Sequence, residues 1–216
     1  MLYAVDRMLD ARLGAMHLQE ERHRFHGVNR SFFVFALACA VPVLIALLTH
    51  METPLLHAYL LLGVALAGYF ALIHTPAFAH RIPKEFAVGV IFIAAIFMPE
   101  LLAGELHALW PVALCFGGLC WLNCILIYQR EHATLLEAHW STRFAIQHAS
   151  LLLASLGAAG VLLFFSGEAT HALSLSVTLS ALGMMALHRM QGRMGRLNLR
   201  IAADAALLTP LIFLLR

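Results

Sequence analysis

The sequence predicts an all-α, polytopic membrane helix bundle with seven transmembrane helices. Three observations carry that expectation. The 216 residues are 62% hydrophobic and only 12% charged, against about 25% charged for a soluble domain. The apolar residues gather into seven stretches, each near the roughly 20 residues that cross a hydrocarbon core of about 30 Å. None of these stretches alternates apolar with polar residues as the strands of a membrane barrel do. Residues 1–216 therefore read as one membrane domain, with a polar segment over 1–31 and the spans over 32–216.

In chain order, residues 1–31 are polar and helix-prone, ending in His23-Arg24-Phe25-His26 and Asn29-Arg30-Ser31. They contain no apolar run behind a basic head, so they do not read as a secretory signal. The spans follow near 32–50, 55–74, 86–103, 108–128, 144–165, 171–188 and 197–215. The sixth is the most diluted, by Ser174, Ser176, Thr178 and Ser180. Cys39, Cys115, Cys120 and Cys124 all lie in apolar runs without a C-x-x-C pair. They read as small buried hydrophobes with no disulfide among them. Gly117-Gly118 and the small residues from Gly157 to Gly160 allow helices to approach closely.

Charge sets the orientation. The connections alternate, and one set holds Arg7, Arg12, Arg22, Arg24, Arg30, Arg81, Lys84, Arg130, Arg143, Arg189, Arg193 and Arg196. Arg200, just inside the last span, adds to the same side, so thirteen of the 14 basic residues share one face. The positive-inside rule assigns that face to the cytoplasm. The opposite connections carry Glu52, Glu105 and Glu168. The N-terminus is expected inside and the C-terminus outside.

Four features at the basic face bear on chemistry. Asp6 and Asp10 stand four apart, so a helix through them puts both carboxylates on one face. Paired carboxylates suit Mg²⁺, which completes its shell with water and substrate phosphate oxygens; exposed ion pairs with Arg7 and Arg12 are the plainer alternative. Arg81 and Lys84, in His80-Arg81-Ile82-Pro83-Lys84-Glu85, offer donors to a phosphate, or simply anchor the loop. Asn123, Ile127 and Glu131 share a helical face at the end of the fourth span. A buried amide there needs a partner, from a neighbouring helix or in a polar cavity. Arg200 and Asp204 stand four apart in the last span, as a self-satisfied structural clamp or as part of a site. The 13 histidines are scattered without an H-x-x-x-H face, which gives a haem or copper reading little to stand on.

Taken together these features resemble the UbiA family of membrane prenyltransferases. The stretch Tyr3-Ala-Val-Asp6-Arg7-Met-Leu-Asp10-Ala-Arg12 is similar to the family's first Asp-rich motif, and Asn123 through Glu131 stands where its second belongs. Leu207-Leu-Thr-Pro210 near the end is similar to one divergent branch of the family. The resemblance implies a nine-helix bundle of which the first helix and most of the second are missing here, so that Leu2, Tyr3 and Val5 end a membrane helix. An interfacial amphipathic helix is the alternative for that segment. Ile127 stands where the family carries a second carboxylate.

The resemblance further implies Mg²⁺ held by Asp6, Asp10 and Glu131, and a prenyl diphosphate contacted by Arg7, Arg81, Lys84 and Asn123. Transfer of the prenyl group to an unidentified acceptor would follow. The expected setting is a bacterial inner membrane, with lipid as a partner and no nucleic acid. A non-catalytic lipid-binding or transport protein of the same fold is the competing function.

Overall fold

The computed structural model describes residues 30–73, 75, 83–104, 106–131, 138–167 and 171–214, and every regular element among them is helical. The chain divides into two compact units, Met1–Leu56 and His57–Arg216. In the first, α1 spans Arg30–Thr49 with Pro42 inside it. The hydroxyl of Thr49 closes its last turn by donating to the Ala46 carbonyl at 2.8 Å. Helix α2, Thr53–Ile73, begins before the boundary and runs on into the second unit. Pro54 lies in its first turn, where a missing N–H leaves no hydrogen bond unmade.

The second unit continues with α3 (Lys84–Ala103), α4 (Leu106–Glu131), α5 (Trp140–Gln147), α6 (Ala149–Ser166) and α7 (His171–Met190). A 3₁₀ turn over Gln191–Arg193 leads to α8 (Arg196–Ala206) and α9 (Pro210–Leu214). Gly104 and Gly167 end α3 and α6 in the left-handed region, at φ +78° and +69°, where a side chain would be strained.

Among the described residues, five helices are long and apolar enough to cross a membrane: α2, α3, α4, α6 and α7. The apolar part of α1, Val34–Thr49, is shorter. The stretch 197–215 differs from a single span, because Leu207–Thr209 forms a turn between α8 and α9. Pro210 explains the break: it has no N–H to give back one turn, and it disfavours helical backbone at Thr209. The stretch 144–165 is likewise divided at His148, which ends α5 and starts α6.

Helix α4 is the centre of the second unit. Of its most apolar window 56% is buried, against 33% for α7 and none for α2. Val112, Cys115, Leu119, Leu122 and Leu126 repeat in steps of three and four along its buried face, the spacing of a knobs-into-holes seam. Ala145 of α5, Leu153 of α6 and Val177, Ala181 and Met184 of α7 complete that core.

Helices held in lipid gain no hydrophobic drive from pairing and associate through close packing and polar ties. Both are present. A Cβ on Gly89 would lie 2.9 Å from the Gly117 carbonyl oxygen, and one on Gly117 would collide with the Ile93 side chain. Helices α3 and α4 therefore meet backbone to backbone, with Phe86 edge-on to Trp121 beside the contact. Gly160 admits Thr178 and the Ser174 carbonyl in the same way, drawing α6 onto α7. The serines of α7 do not face lipid: Ser174, Ser176 and Ser180 are fully buried. Ser180 shares a 2.6 Å hydrogen bond with Thr209, whose hydroxyl also lies 3.0 Å from the Ser176 carbonyl. The polar residues that dilute the sixth apolar stretch thus fasten the turn before α9.

Candidate functional site

The polar side chains of the second unit lie where the C-terminal half of α4 meets the beginnings of α3 and α5 and the last turn of α8. Asn123 is the inner member, only 7% exposed. It precedes the last residue of α4 by eight positions, which is about 12 Å along a helix. Its Nδ2 donates to Oδ1 of Asp204 on α8 at 2.9 Å. An amide buried among apolar helices has to find such a partner, because an unpaired one costs a kilocalorie or more. Its Oδ1 is buried and accepts from no group among the described residues.

A second tie lies on the α3 side. Thr142 of α5, 1% exposed, donates its hydroxyl to Oε2 of Glu85 at 2.9 Å. Helix α5 is set at its start by His139, whose Nδ1 accepts from the Ser141 backbone N–H and lies 2.8 Å from the Ser141 hydroxyl. Nearer the end of α4, a terminal nitrogen of Arg130 donates to the Met194 carbonyl at 3.2 Å. That contact fixes α4 against the turn that leads into α8. The buried Nε of Arg130 and Oε1 of Gln129 have no partner among the described residues.

Three of the sequence-predicted residues are described here. Asn123 is at the heart of the cluster, Lys84 is exposed at the start of α3, and Glu131 is half-exposed at the end of α4. Asp6, Arg7, Asp10 and Arg81 lie outside the described residues. Asp204, read from the sequence as Arg200's partner, receives the amide of Asn123. Glu85 and its bond to Thr142 went unread. A signal for the first pairing was present: Asn123 and Asp204 are both polar residues about two turns inside apolar stretches, measured from the same face. The four cysteines are free thiols; Cys115 and Cys120 are buried, Cys124 is half-buried and Cys39 is exposed.

Among the described residues no three or more His, Cys, Asp or Glu side chains are grouped to hold a metal ion. The donors at this end of the bundle are carboxylate oxygens and the unpartnered Asn123 carbonyl oxygen. They are the oxygen ligands a hard cation such as Mg²⁺ takes. What the cluster does chemically is hold a carboxylate in a fixed orientation and present oxygen acceptors inside the bundle.

The chain matches no family model, no curated protein and no solved structure.

Proposed function

We propose that the chain is a membrane prenyltransferase of the UbiA kind. It would carry a prenyl group from a prenyl diphosphate to an acceptor still to be identified, at the basic face of a bacterial inner membrane, with its N-terminus on the cytoplasmic side. One observation carries the reading. Asn123, the residue that opens the second motif, is buried with its amide oriented by Asp204 and its carbonyl oxygen unpartnered.

In this reading Asp6, Asp10 and Glu131 hold Mg²⁺, and all three are the oxygen ligands that ion prefers. A Mg²⁺ held there would supply positive charge to neutralise the diphosphate as a leaving group. Arg7, Arg81 and Lys84 add cationic donors to the phosphate oxygens. Asn123 presents its amide in the one orientation that the Asp204 carboxylate allows. The apolar faces of the spanning helices carry the prenyl tail and border lipid.

A second reading is a lipid-binding or transport protein that keeps the bundle without the transfer chemistry. Ile127, half-buried on α4 between Asn123 and Glu131, favours it, since it removes a carboxylate from the second motif. Release of diphosphate separates the two. Purified chain incubated with farnesyl diphosphate, Mg²⁺ and a membrane extract as the source of acceptor should release diphosphate, and Glu131→Ala should abolish the release. Release that is absent, or equal in the two proteins, rejects the transfer reading.

A further inference from the structure

Helices α5 and α6 together are longer than the hydrocarbon layer that α6 is fit to cross. The 18 residues of α6 rise about 27 Å, which nearly fills a core of about 30 Å. The eight residues of α5 add about 12 Å ahead of it. The two helices are joined without a loop: the His148 N–H donates to the Phe144 carbonyl at 3.0 Å, and the Leu152 N–H to the His148 carbonyl at 2.9 Å. With α6 in the core, α5 stands in the headgroup layer. It is held there beside the start of α3 by the Thr142–Glu85 bond.

The side chains of α5 are arranged in reverse for a helix in water. Thr142 and Ala145 are buried, whereas Trp140 is 66% exposed and Arg143, Phe144, Gln147 and His148 are exposed with it. These exposed positions recur in steps of three and four, so they form one stripe, and the exposed Leu151 carries the stripe onto α6. Phe144 packs on His148 one turn later, with ring centroids 4.7 Å apart. Large rings outside and a threonine inside suit the boundary where aromatic faces lie on acyl chains and polar edges reach headgroups. The one full charge on the stripe is the Arg143 guanidinium, and no Asp or Glu occurs from Ala138 to Gly167.

We propose that this stripe docks an anionic phospholipid, its phosphodiester on Arg143 and Gln147 and the start of its acyl chains against Trp140 and Phe144. The ligand class follows from the donors. Arg143 brings a fork of N–H groups, Gln147 an NH₂ and Trp140 an indole N–H, and a phosphate meets them with acceptors alone. A zwitterionic headgroup adds an ammonium, for which neither α5 nor α6 has a carboxylate. Free phosphate uses the donors and leaves the rings without a partner. The surface does not depend on the prenyl-transfer reading, because neither its residues nor its test involves a diphosphate.

Trp140 supplies a native reporter. The full chain is reconstituted in phosphatidylcholine nanodiscs holding a minor fraction of lipid brominated near the headgroup, either phosphatidylglycerol or phosphatidylcholine. The difference between wild type and Trp140→Phe isolates the quenching of Trp140 from that of Trp110 and Trp121. Brominated phosphatidylglycerol should quench Trp140 with about fivefold higher affinity, the scale of one basic residue at a charged bilayer surface. Arg143→Gln should bring the two lipids within about twofold, and Arg143→Lys, which keeps the charge, should keep most of the preference.

A Trp140 that neither lipid quenches, whether aqueous iodide reaches it or protein covers it, overturns the docking surface. Equal quenching of the wild type by the two lipids, or a preference that Arg143→Gln leaves intact, overturns the anionic ligand. A preference abolished by millimolar inorganic phosphate assigns the donors to a soluble ion and overturns the lipid. If Arg143→Gln does not fold, the wild type in about 1 M salt replaces it, where screening should remove the preference and its persistence counts against the proposal.

Discussion

The hydroxyl of Tyr59 donates to the carbonyl oxygen of Ala95 at 2.8 Å. Ala95 precedes Pro99 by four residues in α3, so it is the carbonyl that loses its intrahelical donor to the proline. The tyrosine on α2 supplies from outside the hydrogen bond that the helix cannot make for itself. In lipid, where no water can reach a free carbonyl, that bond is a tie between helices. Tyr69 reaches the Lys84 carbonyl at 3.4 Å near the other end of α3, so two tyrosines of α2 tie to a helix that also packs closely on α4.

Tyr59→Phe should therefore lower the midpoint of thermal unfolding in detergent, at a cost of about 1–3 kcal/mol for the unpaired carbonyl. Pro99→Ala restores a backbone N–H at position 99, and in the Tyr59→Phe background it should recover most of the loss. A double-mutant cycle measures this directly. Additive effects of the two substitutions would show that the tyrosine is not acting through the proline.

At the contact between α3 and α4, Gly89→Ala should cost about 1–3 kcal/mol, because its Cβ meets backbone oxygen and not a movable side-chain end. Gly63→Ala on α2 is the matched control, since nothing lies within 4 Å of the Cβ it would gain. That substitution should be neutral or slightly stabilising, as alanine is the better helix former. Denaturant titration of the two variants compares them, and equal effects would contradict the close crossing.

Asn123→Leu should destabilise the bundle by about 1.5–3 kcal/mol, the scale of the hydrogen bond it removes from the Asp204 carboxylate. Asn123→Leu combined with Asp204→Leu should be milder than the sum of the singles. A positive coupling of that kind in urea or detergent unfolding establishes the pair; strict additivity would remove it.

Thr209→Val keeps the shape of the side chain and removes the hydroxyl that joins Ser180 and the Ser176 carbonyl. The expected cost is about 1 kcal/mol, with faster amide hydrogen exchange confined to α9 and the Leu207–Thr209 turn. Faster exchange spread through α7 as well would show that the hydroxyl supports the bundle generally and not this turn alone.

Much of the helix placement was legible in the sequence because membrane helices announce themselves by length and hydropathy: α2, α3, α4 and α7 begin and end within about three residues of the apolar stretches. The last stretch was misread for a definable reason. From Ala205 to Leu215 Thr209 is the one polar side chain, yet Pro210 interrupts the helix without making the stretch polar. The buried serines of α7 were taken for dilution because composition does not reveal which face of a helix meets a neighbour. At the site, Asn123 was found as a buried amide in need of a partner, but pairing across 81 positions is a tertiary fact. The depth that Asn123 and Asp204 share within their apolar stretches was the signal for that pairing.

The most direct test of the central claim is binding of farnesyl diphosphate to the purified chain with and without Mg²⁺, beside an Asp6→Ala, Asp10→Ala double variant. Binding that requires Mg²⁺ and falls at least about tenfold in the variant is expected, since two of the three proposed carboxylate ligands are gone. Binding that ignores the metal, or that the variant keeps, would contradict a diphosphate site at the opening motif.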